Sequence, residues 1–161
     1  MTADAGGLTH LNDRGEARMV DVTAKEVTAR SATARCRVSV SAEVVALLRS
    51  GGLPKGDALA VARIAAIQAT KRTPDLIPLC HPIAVHGVDV EVSIDGTHVE
   101  IIATVRTADR TGVEMEALTA AAVGGLTVID MVKGRDRNAA ITEVVLLEKL
   151  GGRSGHWVRE Q

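Results

Sequence analysis

The chain has 161 residues, 46% of them apolar and 24% charged, with 19 Lys and Arg against 20 Asp and Glu for a net charge of −1. A chain of this length suits one domain that buries roughly 70% of its unfolded surface without a metal or disulfide, and its charge balance excludes the broad basic footprint of a nucleic-acid binder. Trp157 is the only aromatic residue in a chain without Phe or Tyr, so no platform exists to stack a base and any ligand must be held by charge and hydrogen bonds.

Residues 1–20 are polar and aperiodic and read as an N-terminal arm. The first strand is expected at Ala34–Ser41, where Cys36, Val38 and Val40 alternate with Arg35, Arg37 and Ser39. Ser41 caps a short helix over Ala42–Ser50, which Gly51-Gly52 ends. A second helix is expected from about Pro54 to Arg72. Its Leu59, Ala62, Ala66 and Ala69 recur at spacings of three and four, and Thr73-Pro74 stops the run. Asp75–Pro82 is a proline-punctuated loop.

Two strands follow, about Ala84–Ile94 and His98–Thr107, with Asp95-Gly96 as the tight-turn signal between them. Thr111 and Glu114 have the capping-box spacing and open a long helix reaching about Lys133. A last strand is expected at Ala140–Leu147, and the glycine-rich tail, 151–161, is expected to be flexible. The whole of 1–161 reads as a single domain, since no linker, repeat or low-complexity block divides it. The order strand–helix–helix–strand–strand–helix–strand points to an α+β fold: an antiparallel four-stranded sheet with helices on one face, a ferredoxin-like plait. That plait also carries RNA-recognition modules, but they need aromatics on the sheet face, and this chain has none there.

Cys36 and Cys80 are too few for a disulfide framework and fit a reducing cytoplasm. Met1–Gly7 lacks a basic and apolar leader, and the longest runs free of Asp, Glu, Lys and Arg, 76–88 and 117–129, span 13 residues, too few to cross a bilayer. The expectation is a cytoplasmic protein without a membrane partner.

Four patches can carry chemistry. Gly51 and Gly56 have Walker spacing, but Asp57-Ala58 follows where Lys and Ser or Thr are required, so this is no phosphate loop. Lys55 near a helix start is either an anion-binding residue or a solvated lysine. Cys80-His81-Pro82 with His86 offers soft ligands without a second pair at zinc spacing, so the readings are a buried thiol beside a hydrogen-bonded histidine, a substrate contact, or a metal site. Asp130 and Lys133, at i and i+3 on one helix face, are a surface ion pair or, if partly buried, an acid/base pair. Glu114 has the capping role, and Glu116, about 200° round the helix from it, faces elsewhere. Ala120, Ala121, Ala122, Gly124 and Gly125 permit close approach, within the domain, between subunits, or both at once.

These patches also match the motifs of one family. Leu8-Thr9-His10, Met19-Val20-Asp21-Val22, Lys55-Gly56-Asp57, Ala69-Thr70-Lys71-Arg72-Thr73, Leu76-Ile77-Pro78-Leu79-Cys80-His81-Pro82, Thr111 through Ala120 and Asp130-Met131-Val132-Lys133 resemble the cyclic pyranopterin monophosphate synthase (MoaC) family of molybdenum cofactor biosynthesis, over essentially residues 8–155. Arg153 stands where lysine is commoner in that family, which keeps the charge.

The resemblance implies a lyase that rearranges 3′,8-cyclo-7,8-dihydroguanosine 5′-triphosphate to cyclic pyranopterin monophosphate with loss of diphosphate. It implies that Asp130 and Lys133, with Lys55, are catalytic. It further implies that Leu79, Cys80, His81, Glu114, Met115 and Glu116 contact substrate, and that Lys71, Lys149 and Arg30 help to hold it. No metal or cofactor is implied, and the family assembly is a homohexamer, a trimer of dimers. The alternative is a paralogous nucleotide-binding plait serving as sensor or scaffold. From Glu114 to Asp130 is about 24 Å along a continuous helix, so both ends serve one substrate only if the helix bends near Gly124-Gly125 or the site is shared between subunits. The shared site is the favoured expectation.

Overall fold

The computed structural model describes residues 9–160; the first eight residues of the N-terminal arm and Gln161 lie outside them. The elements in chain order are β1 (Thr28–Ser39), α1 (Ala42–Ser50), α2 (Ala58–Thr70), α3 (Thr73–Leu76), β2 (Gly87–Asp95), β3 (His98–Asp109), α4 (Glu114–Val132), β4 (Ala140–Leu150) and β5 (Trp157–Val158). They build an α+β fold on an antiparallel open sheet ordered β2-β3-β1-β4-β5.

The sheet has five strands, not the expected four. Within the segment read as a tail, Trp157 pairs with Lys149 and Val158 with Glu148. Two residues are too few to leave a periodic signal. The first strand also begins at Thr28, six residues before the sequence expectation. Its opening run, Thr28 to Thr33, lacks large apolar residues, and its pairing is imposed by β3, where Arg30 faces Thr107 and Ala32 faces Val105.

Alternation along β1 and β3 sorts the two faces. Ala32, Ala34, Cys36 and Val38 are buried with Val99, Ile101, Ala103 and Val105 beneath the helices. Arg35, whose guanidinium binds Glu143 at 2.7 and 3.2 Å, lies on the opposite face. α4 covers β1 and β3, α2 lies beside it over β2, and the two helices pack side by side. α4 is long and apolar enough to span a membrane, with mean hydropathy 1.5, but half of that stretch is buried inside the fold.

Small residues let α4 approach the sheet. A Cβ on Gly125 would lie 2.5 Å from Cys36 Sγ, and one on Gly124 would lie 3.2 Å from Ile101 Cγ2. Ala120, Ala121, Gly124 and Gly125 are therefore buried within the chain, which bears out the packing inside the domain.

Two helix starts differ from expectation. α2 begins at Ala58, not near Pro54, because Asp57 is its N-cap and accepts from the Ala60 N–H at 3.0 Å. Pro54–Gly56 instead turns, closed by the Gly56 N–H to the Leu53 carbonyl. The capping box is absent: α4 starts at Glu114 with Val113 as N-cap and no side-chain cap. Glu114 is thereby released for another partner. Thr73-Pro74 does end α2, but Thr73–Leu76 forms a one-turn helix of its own with Pro74 in its first turn.

Candidate functional site

The sequence-predicted residues gather in two clusters, at opposite ends of α4. At its C-terminal end the Asp130 carboxylate lies between two ammonium groups. Lys133 Nζ is 2.7 Å from Oδ1, and Lys55 Nζ is 3.2 Å from Oδ2 and also donates to the Asp130 carbonyl at 2.8 Å. Lys133 reaches Asp130 because i and i+3 share a helix face. Lys55 arrives from the turn before α2, which runs antiparallel to α4.

The hydrogen bond from Lys133, then that from Lys55, and the two charges hold the Asp130 carboxyl below the usual carboxylate range. All three side chains are about half exposed, so this is a surface triad open to a ligand. A carboxylate flanked by two ammonium groups offers proton donors, a base and cation charge for a phosphorylated substrate within a few ångströms.

At the N-terminal end of α4 an open cleft of about 360 Å³ is bounded by three segments of chain. The segment before β1 contributes Thr9, His10, Val20, Val22 and Lys25, the loop before β2 contributes Leu79, Cys80 and His81, and the start of α4 contributes Thr111, Gly112, Glu114 and Met115. His81 Nε2 donates to the Val20 carbonyl at 2.6 Å, which fixes the orientation of the ring at the cleft wall. Glu114, free of capping, meets Lys149 Nζ from β4 at 3.4 Å. Lys149 also bonds the Ser154 hydroxyl.

Glu116 faces away from Glu114, as the helical angle predicts, and is buried against Cys80, whose thiol donates to Oε1 at 3.5 Å. Its Oε2 has no partner among the described residues. Burial, with the nearby Glu114 carboxylate adding to it, raises the Glu116 carboxyl above the usual range. Burial, and then the Glu116 charge, pushes the Cys80 thiol up to about 11. The pair thus favours a neutral thiol beside a carboxyl that holds its proton more tightly than usual.

Lys71 is the exposed C-cap of α2 and lines neither cluster. His86 does not join Cys80 and His81: its Nδ1 accepts from the Ala108 N–H at 3.3 Å at the edge of β3. Among the described residues no three His, Cys, Asp or Glu side chains converge as metal ligands would.

Within one chain the two clusters stay apart. α4 runs unbroken from Glu114 to Val132, so the sixteen residues from Glu114 to Asp130 span about 24 Å. Sequence reasoning assigned no role to His10 or Lys25 in the wall of the first cleft. The signal was faint: both lie in short polar segments ahead of β1 where no periodicity marks a face.

The MoaC family model matches residues 19–152. The chain is 63% identical over 152 residues to the cyclic pyranopterin monophosphate synthase of Streptomyces avermitilis, covering 94% of this chain and 89% of that protein. It is 56% identical over 155 residues to cyclic pyranopterin monophosphate synthase 2 of Mycobacterium tuberculosis, covering 96% and 93%. It is 51% identical over 156 residues to the cyclic pyranopterin monophosphate synthase of Heliobacterium modesticaldum, covering 96% and 98%.

Proposed function

The chain belongs to the MoaC family, and we propose that it is a lyase converting 3′,8-cyclo-7,8-dihydroguanosine 5′-triphosphate to cyclic pyranopterin monophosphate with release of diphosphate, an early step of molybdenum cofactor biosynthesis. The observation that carries this reading is the Asp130 carboxylate held between Lys55 and Lys133. The conversion breaks and forms C–N bonds and expels an anion, so it needs proton donors and acceptors beside positive charge. A lysine ammonium serves as both proton donor and point charge, and here two of them flank one carboxylate.

The substrate-contact role of Leu79, Cys80, His81, Glu114, Met115 and Glu116 is supported by their gathering at the first cleft, although they come from separate loops and a helix. Arg30, Lys71 and Lys149 are the further cations this reading gives to substrate binding, and Lys149 reaches the cleft through Glu114. The strand order β2-β3-β1-β4 with a helix after β1 and another after β3 supports the ferredoxin-like plait as the fold type.

The active assembly in this reading is a homohexamer, a trimer of dimers, with each site shared between subunits in the cytoplasm. Two features support sharing. The clusters are too far apart within one chain for a nucleotide to touch both. The outer face of α4 also exposes Met115 at 37% and Leu126 at 57%, and these residues and Lys133 fall within about 20° on the helical wheel, with Asp130 about 60° away. Two copies of this face packed antiparallel cover the apolar middle and set Glu114 and Met115 of one chain beside Asp130 and Lys133 of its partner.

The test is to incubate the protein with the cyclised triphosphate and measure diphosphate. Release by the wild type and none by Asp130→Ala or Lys133→Ala, with melting temperatures unchanged, is the expected result. Tight binding without diphosphate release would make it a sensor or scaffold instead.

A further inference from the structure

We propose that Gly112, in the segment that leads into α4, is a positioning residue for the reaction: the Glu114 carboxylate occupies the space a side chain on Gly112 would fill, and that notch fixes where the carboxylate stands in the cleft. The proposal rests on the substrate contact given to Glu114 above.

The first observation is geometric. A Cβ on Gly112 would stand 1.9 Å from Glu114 Oε2, 2.7 Å from Cδ and 2.9 Å from Oε1, so the three atoms nearest to it all belong to that one carboxyl group. The backbone does not ask for a glycine there, since Gly112 is not among the residues with positive φ. An L side chain would suit its conformation, and only the carboxylate takes up the room. Gly124 and Gly125 are tight because helix and sheet close on them. Gly112 is tight because a charged side chain in a cleft wall lies against it.

The second observation is how few contacts hold this carboxylate. Side chains in a helix lean toward its N-terminus, so Glu114, the first residue of α4, sends its carboxylate back over the segment that precedes the helix. The positive end of the helix favours an anion there. Lys149 Nζ meets Oε1 at 3.4 Å, which is the only polar contact of the carboxylate among the described residues. An ion pair of that length orients a carboxylate loosely. The notch at Gly112 constrains the other oxygen, Oε2, so the group is held at both ends before substrate arrives.

A side chain at position 112 therefore displaces the carboxylate. To reach an ordinary van der Waals contact of 3.4 Å from a new Cβ, Oε2 must retreat by about 1.5 Å. A shift of about 1 Å in a group that meets substrate can cost about a hundredfold in rate. The cost to the fold is small by comparison, because what gives way is the end of a flexible and partly exposed side chain, not backbone or core. Gly112 thus shapes the site and not the fold, and activity and stability separate the two roles.

The experiment compares Gly112→Ala, Glu114→Asp and the double variant in the full-length protein by melting temperature, by kcat and KM for the cyclised triphosphate, and by crystal structure. Gly112→Ala is expected to lower kcat/KM by about tenfold to a hundredfold while its melting temperature stays within about 2 °C of wild type. Its structure is expected to show Glu114 Oε2 moved by about 1.5 Å. Glu114→Asp is one methylene shorter and vacates the notch, so adding Gly112→Ala to it is expected to cost less than about threefold more. Full activity in Gly112→Ala, or the same loss in both backgrounds, would overturn the proposal. A lower melting temperature that Glu114→Asp restores locates the strain at the carboxylate and supports it; one that Glu114→Asp leaves in place counts against it. The two readings fail separately. A wild type that releases no diphosphate sinks the enzyme alone, and the structures then decide: a carboxylate displaced in Gly112→Ala upholds the seat, and an unmoved one refutes it.

Discussion

Subunit complementation tests the sharing of the site directly. Sixteen residues of unbroken helix separate Glu114 from Asp130 by about 24 Å, so in a shared site one chain supplies Glu114 and its partner supplies Asp130. Asp130→Ala and Glu114→Ala each disable both sites of their own dimer. Neither side chain is part of the core, so both variants are expected to fold. Mixed in equal amounts, denatured and refolded together, they form mixed dimers as half of the population. Each mixed dimer has one site with both residues intact and one with neither. The pool is therefore expected to regain about one quarter of wild-type activity, from two inactive parents, if each dimer acts as an independent two-fold unit. The assay is diphosphate release, with hetero-oligomers counted by native mass spectrometry. Inactive pools containing the expected hetero-oligomers would refute the reasoning and place both ends of α4 in separate roles within one chain.

Three further outcomes follow from the packing. With the Cys80 thiol up at about 11 instead of 9.0, its thiolate fraction at pH 8 is about a hundredfold below that of an ordinary thiol, so iodoacetamide is expected to label it correspondingly slowly, with the rate still climbing at pH 10. Rapid labelling at pH 8 would contradict the buried Cys80–Glu116 pair. The folded protein holds the Glu116 proton more tightly than the unfolded chain does, so between the two pKa values it binds more protons and stability falls as pH rises. Glu116→Gln is expected to flatten that loss, raising the melting temperature relative to wild type at pH 8 more than at pH 4; a parallel offset at both would refute the assignment. Gly125→Ala drives a methyl to 2.5 Å from Cys36 Sγ and is expected to cost about 1–3 kcal/mol, at about 2–4 °C of melting temperature per kcal/mol. Adding Cys36→Ala should restore most of it, and a strictly additive double variant would show that the two do not touch.

The sequence by itself determined what is local. Alternation in Cys36, Val38 and Val40 marks a strand, Ser41 caps α1 with its hydroxyl on the Val44 N–H, and Gly51 ends that helix with φ +69°. The motif runs around Cys80, Glu114 and Asp130 also identify the family, since residues close in sequence are read together. Where a local rule had a competitor, tertiary structure decided. Thr111 and Glu114 have capping-box spacing, yet Glu114 meets Lys149 on β4, because the ion pair across the fold draws its carboxylate away from the helix backbone. Asp57 displaced Pro54 as the start of α2 because a side chain that accepts a backbone N–H outbids a ring that only fixes φ. Cys80 against Glu116 and Lys55 against Asp130 are separated by 36 and 75 positions. No periodicity encodes such distances; they exist because two antiparallel helices and a loop are packed on one face of the sheet, and only that packing gives each carboxyl its neighbour.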